Sequence, residues 1–157
     1  MSLDSAKVPS IDASRFSFGI VAARFNLRLV DALLERAHAE LIRAGTKAER
    51  IRIERVPGSH EIPYAAHELA LRRRTDCVLA LGVLIGGDTN HHELVGESVS
   101  HALQQISILT RKPVINGVVV ANNLHQAEER TIGKINRGME FAHAALEMAA
   151  LRRRFQR

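Results

Sequence analysis

Val78-Leu79-Ala80-Leu81-Gly82-Val83-Leu84-Ile85 passes directly into Gly86-Gly87-Asp88-Thr89-Asn90-His91-His92-Glu93, and the reading of this junction decides the fold. The first half is apolar without alternation, as in a strand buried on both faces of a parallel sheet. The second half opens on two glycines and continues into a helical pattern, so a strand gives way to a helix through a tight turn. Asn90 followed by Glu93 fits a capping box, which would start the helix here. Glycines let the backbone approach a ligand, and the first turn of a helix offers unpaired N–H groups and a positive dipole end. One reading is therefore an anion site with His91 beside it as a base. A plain strand-to-helix turn accounts for the same glycines.

On either side, strand-like and helical patterns alternate. Phe16 to Ala23 reads as a strand, followed by a helix from about Asn26 to Ala44 with Leu27, Val30, Leu34, Ala37 and Leu41 on one face and Gly45 as its stop. Ile51 to Val56 is a second strand. Pro57-Gly58-Ser59 then turns the chain into a helix from Glu61 to about Arg73, where Pro63 falls in the tolerant first turn. Cys77 to Ile85 is the third strand. A helix from His91 to about Thr110 follows, with Val95, Val99, Ala102, Ile106 and Leu109 predicted inward, and Lys112-Pro113 ends it before a strand from Val114 to Val120. A short helix and a long Ala-rich helix complete the pattern.

Four apolar strands, each followed by a helix, predict an α/β fold: a three-layer α/β/α sandwich around a four-stranded parallel sheet with right-handed crossovers. Ligands of such sheets bind beyond the carboxyl ends of the strands. The candidate loops are thus Arg24-Phe25-Asn26, Pro57 to Glu61, Gly86 to His91 and Ala121-Asn122-Asn123. A length of 157 residues with 46% hydrophobic composition suits one domain over 1–157, with 1–14 as a flexible N-terminal segment. The lone cysteine, Cys77, builds neither a disulfide framework nor a thiolate metal site and is expected to be buried and inert. No stretch approaches the roughly 20 apolar residues of a membrane span, and the start lacks a signal-peptide pattern, so a cytoplasmic protein is expected.

The net charge of +5 raises the question of nucleic acid. Its basic residues gather in Arg72-Arg73-Arg74 and in Arg152-Arg153-Arg154 with Arg157, each at a helix end, where cations complement the dipole. With 4% aromatic residues and no Trp there is little on which to stack bases, so no nucleic-acid partner is expected. A phosphorylated small molecule explains the charge equally well. Other tenants of the fold are poorly matched: the loops lack the acidic residues of a phosphoacceptor receiver, the hydroxyl-rich phosphate loop of a flavodoxin and the three-glycine dinucleotide fingerprint.

The ordered set Ala23-Arg24-Phe25-Asn26, Val56-Pro57-Gly58-Ser59-His60-Glu61-Ile62-Pro63, Leu81 to Ile85 with Gly87-Asp88-Thr89-Asn90-His91, and Asn123 with Gln126-Ala127-Glu128-Glu129-Arg130 resembles lumazine synthase over nearly the whole chain. The resemblance implies a flavodoxin-like doubly wound topology. It also implies condensation of 5-amino-6-(D-ribitylamino)uracil with 3,4-dihydroxy-2-butanone 4-phosphate to 6,7-dimethyl-8-ribityllumazine, in riboflavin biosynthesis, with no cofactor and no metal. By the same resemblance Phe25 stacks on the pyrimidine. Ser59, His60 and Glu61 hold the pyrimidine and ribityl chain, and the main chain of Val83, Leu84 and Ile85 lines the same pocket. Asp88 and Thr89 form the phosphate turn, Arg130 clamps the phosphate, His91 transfers protons and Glu140 supports it.

Arg130 and Asn116, the latter against the pyrimidine, are implied to come from a neighbouring subunit, so the active site requires an oligomer. The family forms homopentamers, in some members closed into icosahedral shells, and association with riboflavin synthase is a further implied partnership. Several positions depart from the pattern: His60 for a frequent Phe, Gly86 for a frequent Arg, Asn116 for Phe, and a shortened Lys134-Ile135-Asn136-Arg137-Gly138 hinge. The residues leave two alternatives: a noncatalytic flavin- or lumazine-binding protein, and a shell-forming paralogue. A metal site of His60, His91 and His92 has no recommending spacing.

Overall fold

The computed structural model describes residues 10–156. Of the N-terminal segment expected to be flexible, residues 1–9 lie outside the described residues. Four strands, β1 (Phe18–Ala23), β2 (Ile51–Val56), β3 (Cys77–Ile85) and β4 (Val114–Ala121), form one parallel sheet in the order β2-β1-β3-β4. Five helices, α1 (Leu27–Arg43), α2 (Ile62–Leu71), α3 (His91–Thr110), α4 (Leu124–Thr131) and α5 (Arg137–Phe155), cover it. This is the three-layer parallel-sheet sandwich that the alternating pattern predicts, in the flavodoxin-like, doubly wound arrangement that the resemblance implies.

Side-chain alternation along the strands separates two cores. Phe18, Ile20 and Ala22 of β1 and Leu79, Leu81 and Val83 of β3 pack with Val30, Leu33 and Ala37 of α1 and with Ala142, Ala145 and Ala149 of α5. On the other face Val21, Ala23, Val78 and Ala80 meet Ala66 and Leu69 of α2 and Val99 and Leu103 of α3. The alanines of α5 are thus turned toward its own sheet and α1. Gly138 permits this approach, because a Cβ there would come 2.5 Å from the Leu33 carbonyl oxygen.

Element boundaries depart from expectation where a side chain intercepts the backbone. β1 begins two residues later than predicted, because the Ser17 N–H donates to the Asp76 carboxylate (2.9 Å) instead of entering the ladder. α2 stops at Leu71 rather than near Arg73: Arg72 is extended (φ −65, ψ 127) and its carbonyl accepts from the Lys112 ammonium. The inward face of α3 is turned from the predicted one. Gly96, Val99, Leu103 and Ile106 are buried while Leu109 is 78% exposed, a rotation of roughly 60° about the axis. Gly96 explains it: a Cβ would lie 2.7 Å from Val120 of β4, so the helix settles with its glycine against the sheet. On α1 the predicted face holds except for Leu27, which is half exposed beside the β1 exit loop. Cys77 is fully buried, and burial pushes its thiol far above the ordinary range, as an inert thiol requires. No helix among the described residues is long and apolar enough to cross a membrane.

Candidate active site

In the order β2-β1-β3-β4 the winding reverses between β1 and β3, and a crevice opens beyond their carboxyl ends. A cavity of about 480 Å³ lies there, inside the range of roughly 300–1,000 Å³ usual for small-molecule sites. Phe25 and Asn26 from the β1 exit, Gly58 to Glu61 from the β2 exit, Val83, Leu84 and Ile85 of β3, and Gly87, Thr89, His91, His92 and Val95 around the start of α3 line it.

Each wall has a local cause. Asn26 sits in the left-handed region (φ 56, ψ 42), a conformation for which Asn is enriched, and its Nδ2 donates to the Val83 carbonyl at 2.8 Å. That bond ties the β1 exit to the end of β3. After β2 the chain makes a single 3-10 turn over Ser59–Glu61, in which the Glu61 carboxylate accepts the Gly58 N–H at 2.8 Å. Ser59 is buried against Gly82 of β3, where a Cβ would stand 2.5 Å from Ser59 Oγ, so glycine is required for this approach. The Phe25 ring lies over Gly58 and remains 72% exposed at the cavity, an apolar plane facing solvent.

The fourth wall is the junction Gly86 to Glu93. Neither glycine has a positive φ, so tight-turn geometry is not what selects them. Gly86 is required by proximity instead: its Cβ would meet the Asn122 carbonyl oxygen at 2.5 Å and His92 Nε2 at 3.1 Å. The expected capping box is absent. Asn90 has near-helical backbone (φ −79, ψ 18), its side chain makes no capping hydrogen bond, and only its carbonyl serves α3, accepting from Glu93 and Leu94. The first turn of α3 is therefore left without a side-chain cap beside Thr89, and the N–H groups ahead of Glu93 are open to an acceptor. His91 is exposed at the mouth, whereas both ring nitrogens of His92 are buried without a hydrogen-bond partner.

A family model described as 6,7-dimethyl-8-ribityllumazine synthase matches residues 15–153. Relatives of that name are 47% identical in Aquifex aeolicus, over 90% of this chain and 92% of the relative, and 44% identical in Thermococcus onnurineus, over 86% and 88%. A third, from Desulfotalea psychrophila, is 40% identical over 90% and 92%. The chain belongs to the 6,7-dimethyl-8-ribityllumazine synthase family.

Of the residues that the lumazine synthase resemblance singles out, the fold brings Phe25, Ser59, His60, Glu61, Val83, Leu84, Ile85, Thr89 and His91 around one cavity, with Asp88 in the exposed turn between Gly87 and Thr89. Asn116, Arg130 and Glu140 do not line it. Asn116 is opposite Ala80 in mid-strand on the sheet edge, and its Oδ1 accepts the Val118 N–H. Arg130 projects from α4 and donates to the Gln126 carbonyl at 3.0 Å. Glu140, in the first turn of α5, pairs with Arg137. The α4 platform that carries Arg130 is held firmly. Asn123 caps it through Gln126 N–H, Gln126 returns an acceptor to Asn122 N–H, Arg28 pairs with Glu128, and Arg36 binds the Ile132 and Gly133 carbonyls. Asn26 and His92 are pocket residues to which sequence reading assigned no role in the site. An asparagine at a strand exit, a residue type enriched in left-handed backbone, and a second histidine after a glycine pair were the signals in the sequence.

Proposed function

We propose that the protein condenses 5-amino-6-(D-ribitylamino)uracil with 3,4-dihydroxy-2-butanone 4-phosphate to form 6,7-dimethyl-8-ribityllumazine, releasing inorganic phosphate and water. The observation that carries this reading is the meeting of an exposed ring, a carboxylate, an uncapped helix start and a histidine in one cavity of a lumazine synthase-family sheet. Phe25 offers the face on which the pyrimidine stacks. Glu61, with the main chain of Ser59, His60 and Val83 to Ile85, orients the pyrimidine and its ribityl chain. Thr89 and the N–H groups at the start of α3, with the Asp88 backbone, receive the phosphate, and Arg130 of a neighbouring copy completes its charge.

The chemistry needs the 5-amino nitrogen to attack the ketone and lose water as an imine, then loss of phosphate, then attack of the ribitylamino nitrogen on the remaining carbonyl, which closes the ring and releases a second water. Holding both substrates in register supplies the largest part of the acceleration. His91 moves the protons, a task to which imidazole is suited near neutrality, and Glu140 of a neighbouring copy supports it. No metal or cofactor enters the scheme.

We also propose a homopentamer as the smallest active unit, with a cytoplasmic location. In support, Asn116, Arg130 and Glu140 do not line the cavity of their own protomer, and Tyr64, Leu94, Ile108 and Leu109 leave large apolar side chains exposed on α2 and α3. Fluorescence of the lumazine product, followed after mixing both substrates with purified protein, tests the reaction. Formation well above the uncatalysed background is the expected result. A background rate with retained binding of the ribitylaminopyrimidine would replace this reading with a noncatalytic binder.

A further inference from the structure

The two arginine runs that look in sequence like separate helix-end charges are neighbours in space. At the amino ends of β1, β2 and β3, the end of the sheet opposite the substrate cavity, a basin of about 1410 Å³ opens. Arg72, Arg73 and Arg74 enter it from the turn between α2 and β3, Arg50 and Arg52 from the start of β2, and α5 brings its last turns alongside. Eight arginines line the basin against two carboxylates, Glu49 and Asp76, so the local surplus of positive charge exceeds the +5 of the whole chain.

Part of this charge is structural. Asp76 is buried and takes Arg152 and Arg153, which fastens α5 to the sheet, and Arg52 pairs with Glu54. Arg50, Arg72, Arg73 and Arg74 are different: all are exposed and none makes an ion pair among the described residues. Four unpaired like charges facing one concavity raise its potential and repel one another, a cost that a bound polyanion relieves. The basin exceeds the roughly 300–1,000 Å³ of an ordinary small-molecule site, so a single phosphate leaves most of it empty. Its one aromatic residue, Phe18, is 2% exposed and presents no face to a base. Recognition must therefore be of charge and phosphate geometry, for which the guanidinium fork is suited.

We propose that this basin binds a chain of several linked phosphates, either inorganic or carried by a nucleoside. The site is independent of the condensation reaction and stands or falls without it. Calorimetric titration of the full-length protein with tripolyphosphate, ATP and inorganic phosphate, at about 50 and 200 mM salt, tests it. Tripolyphosphate should bind at least about tenfold more tightly than inorganic phosphate and weaken with salt. ATP should compete with it if the phosphate chain alone is read; ATP binding much more tightly identifies the nucleoside-bearing form as the ligand. The double variant Arg73→Glu/Arg74→Glu should lose about tenfold or more in affinity, and Arg73→Gln/Arg74→Gln an intermediate amount, with lumazine formation unchanged. Thr89→Ala, at the other end of the sheet, should leave tripolyphosphate binding intact. No preference over inorganic phosphate, unchanged binding in both arginine variants, or loss in Thr89→Ala would overturn the proposal. Tighter binding of single-stranded RNA than of tripolyphosphate, at equal phosphate concentration, would transfer the basin to nucleic acid.

Discussion

His91 and His92 are adjacent yet differently placed: the first is exposed at the cavity mouth, while the second has both ring nitrogens buried and unpartnered. Only the exposed ring is free to carry protons to and from a substrate. His91→Ala should lower kcat by roughly 10–100-fold with little change in KM, since positioning by the other walls survives. Arg130→Ala should instead raise KM for the phosphorylated substrate; equal weakening toward both substrates would count against the clamp. Gly86 yields a third prediction. An Arg here, which the lumazine synthase resemblance leads one to expect, must displace the Asn122 carbonyl oxygen, which would stand 2.5 Å from any Cβ at this position, so Gly86→Arg should cost about 1–3 kcal/mol in a denaturant titration. At this scale the sequence was readable where a residue's own loop sets its place, as with Phe25, Ser59, Glu61 and Thr89, which all line the cavity. It was not readable where the cause lies on another strand: the Asn26 bond to Val83 and the pressure of Asn122 on Gly86 depend on contacts that spacing does not encode.

Among the elements, α1 and α5 are joined through the buried carboxylate of Glu40. Glu40, 6% exposed, accepts from Arg43 at 2.8 Å and faces His143 Nε2 of α5 at 2.6 Å. The Arg43 hydrogen bond holds the Glu40 carboxyl below its ordinary value, against the opposing effect of burial, and His143 adds to it. The folded protein thus binds this proton less tightly than the unfolded chain does. Its stabilisation is complete above the ordinary glutamate value near roughly 4.3 and is lost as pH falls through the lower folded value. Glu40→Gln should cost about 2 kcal/mol at neutral pH, roughly 4–8 °C in Tm at fixed protein concentration, and its Tm should fall less steeply in acid. Strand and helix identities were all legible, because period and turn chemistry agreed. What misled was the orientation of α3: an apolar stripe through Leu109 fits a helix equally well, until Gly96 and its contact with Val120 select another face.

For the whole molecule, the parallel sheet and its switch point follow from unbroken apolar strands, whereas the convergence of distant arginine runs at the opposite end does not, since no local pattern relates Arg72 to Arg152. Light scattering should report a pentamer or a multiple of it; a monomer that still turned over substrate would sink the shared-site reading. The core also holds Cys77, the chain's one thiol, sealed at the start of β3. A thiol reagent should label the protein fully in denaturant and, in the same time, leave the native protein almost unmodified. Under native conditions the slow residual labelling then measures how often the sheet opens. Every molecule carries an internal clock that strikes once, and substrate, polyphosphate or subunit contacts that keep the sheet closed will each be audible as a delay.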